Sequence, residues 1–172
     1  FSAFAEGVSL YSAFAVLYSF QMRNLLKGVG QQMKWSVRDE SLHSKMGCQL
    51  FRHMCSQIPG LKEECKEHVY DAALTMHNAE MTYISKLFEM GDIEGITEYD
   101  LKHFIKKRTG DKIQELGYKP EGKFKFEYDQ KSIDKMAWFD HLTGGHTHTD
   151  FFAIRPTDYS KANEGEDFED VW

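Results

Sequence analysis

Cysteine is scarce and badly arranged for crosslinking: Cys48, Cys55 and Cys65 are odd in number and lack the paired short spacings of a disulfide framework or a zinc site. A reducing, cytoplasmic setting is therefore expected. Proline is equally sparse, with Pro59, Pro120 and Pro156 alone to punctuate 172 residues. Dense positive charge is missing too. The net charge is −6, and Lys106-Lys107-Arg108 is only a brief basic run, which excludes a nucleic-acid surface. Phe1 to Phe20 approaches the length of a membrane span, but Glu6, Ser2, Ser9, Ser12 and Ser19 interrupt it and no second span follows, so no membrane role is expected. A starting Met and a secretion signal are also absent; the chain opens inside an apolar stretch, as though cut mid-protein.

What remains is helical. Apolar residues recur at three- and four-residue spacing over long segments. The spacing predicts a first helix to about Leu26, stopped by Lys27-Gly28-Val29-Gly30, and a second from about Gln31 to Ser56, closed by Pro59-Gly60. A third helix is predicted from Leu61 to Met90, and a fourth from Thr97, whose spacing to Asp100 resembles a capping box, to near Gly117. Residues 118–130 alternate loosely, as a short strand or extended segment would, before a last short helix from Ser132 to Leu142 and a polar, acidic tail. Rods this long, joined by short links, suit an antiparallel all-α bundle. The first rod is apolar on nearly every side and must be surrounded, so the bundle is expected to be incomplete.

Two helices carry polar groups on stripes that should be buried. In the second, Met33, Val37, Glu40, His43 with Ser44, Gly47, Leu50 and Met54 form one face; Glu40 and His43, three apart, place a carboxylate and an imidazole on neighbouring turns. In the first, Glu6 continues through Leu10, Ala13, Phe14 and Leu17. Each is ordinary alone: Glu6 could be held by an Arg or Tyr, and Glu40 with His43 could be a surface pair. Together they call for a dication, which neutralises carboxylates that would otherwise need protons or partners. A Glu plus Glu-x-x-His is half of the ligand set of the two-metal carboxylate bundles. Oxygen and imidazole donors suit Fe or Mn better than zinc, since thiolate is absent from the set; Fe is the expected metal, with Mn or a mixed Mn/Fe pair as alternatives. No second buried Glu-x-x-His is present, since Glu64, Glu67 and His68 lie on a polar side.

Arg38-Asp39-Glu40-Ser41-Leu42-His43 resembles the Arg-Asp-Glu-x-x-His signature of class I ribonucleotide reductase small subunits, with Glu6 at the family's spacing, 34 positions earlier. Glu64-Cys65, Tyr70-Asp71, Tyr83 to Phe88, Tyr118, Lys131 to Trp138 and Phe151 to Tyr159 follow in the family's order. The resemblance implies a ferritin-like bundle of which residues 1–145 are the second, carboxyl-terminal half, completed by an amino-terminal half, with a naturally split subunit as the preferred explanation. It implies that Glu40 bridges two metal ions, that Glu6 and His43 complete the second metal's shell, and that Asp39 lies on a radical-transfer path. Taken alone, Asp39 reads as a helix salt bridge with Arg38 or Lys34. Leu10, Phe14 and Ser36 match positions lining the radical pocket; Leu10 and Ser36 depart from the usual Phe and aliphatic residue.

In residues 146–172, Tyr159 matches the radical-relay tyrosine, and Phe168, Val171 and Trp172 match the tail that binds the large subunit. The implied assembly contains dimeric small subunits and a large subunit that reduces ribonucleotides to deoxyribonucleotides. Composition alone would make this tail a solvated acidic segment, and His146 and His148 read as loop residues. Two other readings share the metal-ligating residues or the bundle: a different ferritin-like oxidase or metal store, and a helical interaction module.

Overall fold

The computed structural model describes residues 1–143, which form helices, one 3-10 turn and connecting loops, with an isolated bridge between Ile93 and Ile96. The helices are α1 (Ser2–Ala5), α2 (Tyr11–Met22), α3 (Lys27–Gln57), α4 (Leu61–Glu64), α5 (Lys66–Leu87), α6 (Glu98–Glu115) and α7 (Gln130–Thr143). The expected all-α architecture is present. The alternating segment after Tyr118 is not a strand; it contains the 3-10 turn Gly122–Phe124, which seats Phe124 flat against Tyr70, 4.5 Å between ring centres.

Helix α5 shows how the pattern becomes packing. Tyr70, Ala73, His77, Glu80 and Ile84 are buried, at alternating steps of three and four that trace one face of a 3.6-residue helix. Helix α6 begins at Thr97, whose hydroxyl accepts the Asp100 backbone N–H at 3.0 Å, so the predicted cap forms. It buries a wider face and packs against both α5 and α7. Phe139 of α7 meets Tyr11, Tyr18 and Phe104 edge-on, an aromatic layer tying α2, α6 and α7 together.

Three predicted boundaries move. The first helix breaks at residues 6–10 and ends at Met22. The Lys27-Gly28-Val29-Gly30 segment does not stop a helix but forms the first turn of α3, where glycine is tolerated; the corner is made by Asn24 and Leu26, with φ of 66° and 47°. The third helix divides at Cys65 into α4 and α5. Leu50 and Met54, expected in the core, are exposed. With Leu42 and Met46 they form a row at four-residue steps along α3, while Val37, Ser44 and Cys48 face inward. None of the helices among the described residues is long and apolar enough to cross a membrane.

Candidate metal centre

Gly7, in the break after α1, lies where a side chain has no room. A Cβ on Gly7 would lie 2.2 Å from the Ala3 carbonyl oxygen and 2.4 Å from Ser44 Oγ; one on Gly47 would lie 2.6 Å from Ser2 Cβ. Small residues on α3 thus let α1 cross it closely, and Ser44 Oγ donates to the Ala3 carbonyl at 3.4 Å. Ser44 and Gly47 share the α3 face with Glu40 and His43. The crossing that needs glycine therefore also carries Glu6 to the two polar residues.

One donor atom from each of Glu6, Glu40 and His43 lies within 4.8 Å of the others. A first-row dication about 2.1 Å from each donor would hold neighbouring donors roughly 3 Å apart, so the three side chains would close in on binding. Glu6 Oε2 is buried and has no hydrogen-bond partner. A carboxylate oxygen left so is costly unless a cation or proton satisfies it. Glu40 Oε2 sits 3.7 Å from His43 Nδ1, while Asp39 Oδ1 sits 3.7 Å from His43 Nε2. The imidazole thus has one carboxylate facing each nitrogen. The set is open on one side, with the side chains of Glu40 and His43 24% and 47% exposed. The donors present fit a divalent cation of the Fe or Mn type, and they cover one flank of it.

The other sequence-predicted positions are less uniform. Phe14 is buried edge-on to Tyr11, Ser36 is half-buried and Leu10 is exposed. Asp39 is exposed as well. Tyr159, Phe168, Val171 and Trp172, with His146 and His148, lie outside the described residues.

Several residues beside the site escaped the sequence reading. Arg108, read as part of a surface basic run, turns inward: its guanidinium lies 3.4 Å over the Tyr11 ring, and Nε and Nη2 both donate to the Gly7 carbonyl, at 3.2 and 3.1 Å. The Tyr11 hydroxyl is 2.7 Å from Ser41 Oγ, next to Glu40. Deeper in the core, Ser12 Oγ donates to Glu80 Oε2, and burial pushes the Glu80 carboxyl up to about 7. Burial, aided by the Lys106 charge, drives His77 down to about 4. Gly7, directly after an inward Glu in an apolar helix, was a legible signal; the others had none, because their partners are distant in sequence.

A helical scaffold that brings one Glu, a second Glu and a His together matches the ligand chemistry of the two-metal carboxylate bundles. Residues 1–124 match the family described as ribonucleotide reductase, small chain, and the chain belongs to that family. It is 33% identical to a probable ribonucleoside-diphosphate reductase small subunit of Invertebrate iridescent virus 3, over 95% of this chain and 42% of that protein. A counterpart from Invertebrate iridescent virus 6 is 27% identical over 100% of this chain and 53% of its own length. The ribonucleoside-diphosphate reductase subunit beta of Chlamydia pneumoniae is 23% identical over 91% and 43%. The chain thus spans about half the length of these relatives. In fold it resembles the crystal structure of a putative class I ribonucleotide reductase from Bacillus halodurans, with a TM-score of 0.67 over 80% of this chain and 42% of that one, at 21% identity.

Proposed function

We propose that this chain is the second, carboxyl-terminal half of a class I ribonucleotide reductase small subunit and holds one flank of a two-metal centre. The observation that carries this is the convergence of Glu6, Glu40 and His43, with a buried Glu6 oxygen lacking any donor, in a member of the small-chain family. Glu40 would serve both metal ions, and Glu6 and His43 would hold one of them. Iron is the expected metal, with manganese or a mixed pair as alternatives. Together with dioxygen the metal pair supplies a one-electron oxidant when bound.

The chain's own residues hold and direct that chemistry. His43 offers Nδ1 on the Glu40 side, and Asp39 on the Nε2 side favours the tautomer that leaves Nδ1 free to ligate. By the family resemblance Leu10, Phe14 and Ser36 line the radical pocket; of these Phe14, buried edge-on to Tyr11, is the one suited to exclude water. From there the radical passes through Asp39 and Tyr159 to a large subunit, which reduces ribonucleotides to deoxyribonucleotides. Phe168, Val171 and Trp172 anchor that partner. The assembly is cytoplasmic and contains two small subunits.

The remaining ligands come from the amino-terminal half. The open flank of the centre and the exposed row Leu42, Met46, Leu50 and Met54 support this, since an apolar row beside polar ligands suits a covering helix. Metal quantification and electron paramagnetic resonance on the assembled small subunit test the reading. Two metals per subunit are expected, falling below one in Glu40→Ala and to about one in His43→Ala. Full occupancy in both variants would remove the assignment.

A further inference from the structure

The turn carrying Glu6 is helical on its amino-terminal side, where Glu6 N–H donates to the Ser2 carbonyl at 3.2 Å, and leaves the helical pattern after Val8. Val8 N–H and Ser9 N–H both donate to the Phe4 carbonyl, at 3.0 Å each, so the turn is widened. Tyr11 N–H donates to the Val8 carbonyl at 3.1 Å instead of the Gly7 carbonyl four residues back. The Gly7 carbonyl is instead straddled by two N–H groups of Arg108, from a helix 101 residues away. The same guanidinium lies flat on Tyr11, whose hydroxyl reaches Ser41 on the other ligand-bearing segment. Burial lowers the Arg108 pKa, opposed by the Tyr11 phenol and then by the negative charges of Asp140, Asp111 and Glu115.

We propose that Arg108 is a positioning residue for the metal centre: by gripping the Gly7 carbonyl and the Tyr11 ring it fixes the Glu6 turn against the α3 segment that carries Glu40 and His43. The inference rests on the metal-centre reading but assigns a duty to a residue outside the ligand set. An arginine suits the task because one planar group can give two parallel N–H donors and a flat face at once. A lysine keeps the charge and loses both geometries.

The test uses the full-length small subunit, titrated with Mn²⁺ and followed by loss of the free-ion paramagnetic resonance signal, with amide hydrogen exchange on the metal-free protein as the second readout. Arg108→Lys and Arg108→Met should each weaken Mn²⁺ binding at least tenfold and speed exchange at Val8, Ser9 and Tyr11, with protection in α5 and α7 unchanged. Tyr11→Phe keeps the ring under the guanidinium and should weaken binding less than threefold. Should Arg108→Met not fold, Arg108→Lys decides. Wild-type affinity and wild-type exchange at residues 8–11 in Arg108→Lys would overturn the proposal, as would loss of protection spread evenly over all helices. His43→Ala separates the two levels: if it binds Mn²⁺ like the wild type, the metal-centre reading itself fails; if it alone weakens binding, only the role of Arg108 does.

Discussion

Glu80 and His77 lie one turn apart on the buried face of α5, and their protons respond to pH in opposite directions. Glu80 holds its proton more tightly when folded, about 7 against the ordinary 4.5, so its contribution is fully present below pH 4.5 and is lost as pH rises through 7. His77 is held neutral, about 4 against 6.5, so its contribution is present above pH 6.5 and is lost as pH falls to 4. Each amounts to about 3 kcal/mol, and between pH 4.5 and 6.5 their opposite pH dependences nearly cancel. Urea unfolding across this window should give a stability that rises with pH in Glu80→Gln and falls with pH in His77→Gln. Two variants with the wild-type profile would contradict the assignment. Neither residue was legible as special in the sequence, because a polar residue on an apolar stripe does not reveal which neighbour meets it. Glu6, Glu40 and His43 were legible because helical periodicity turns spacing into a shared face.

Among the elements, α1 and α3 define the site by how closely they cross. Gly7→Ala would place a methyl group 2.2 Å from the Ala3 carbonyl and 2.4 Å from Ser44 Oγ, and a backbone carbonyl cannot yield as a flexible side chain can. The variant should lose about 1–3 kcal/mol in denaturant unfolding. Gly28→Ala, with nothing within 4 Å, is the matched control and should not be destabilised. A Gly7→Ala variant as stable as Gly28→Ala would show that the site has room for the methyl group. The sequence placed the long rods well and their ends poorly. The apolar run over the first helix hid the break at residues 6–10, where Gly7 lies against Ser44 of α3 and Lys112 of α6, both distant in sequence. The Gly-Val-Gly pair suggested a stop, yet the chain turns earlier, at Asn24 and Leu26.

At the scale of the molecule, apolar periodicity describes the assembly that buries a face. The stripe ending in Leu50 and Met54 read as core, but these side chains, with Leu42 and Met46, are exposed along α3. In the proposed subunit the amino-terminal half covers them. Met46→Lys should then leave the helical content of this chain unchanged while lowering metal occupancy of the assembled subunit at least twofold, by metal quantification. Unaltered occupancy would mean that the row stays uncovered beside the centre. Overall helical content and family resemblance were both visible in the sequence; the openness of the centre was visible only as the missing half of a ligand set.

The corner at Asn24 and Leu26 sets the angle between α2, which follows the Glu6 turn, and α3, which carries Glu40 and His43. From the corner to Glu40 α3 runs about 20 Å, at roughly 1.5 Å per residue. A swing of about 5° at that elbow would displace the far carboxylate by roughly 1.7 Å, close to a whole metal–oxygen bond. Two non-glycine residues in the left-handed region admit few neighbouring conformations. In the proposed subunit, a restricted backbone at this distant bend would limit how far the α3 arm can swing from the Glu6 turn.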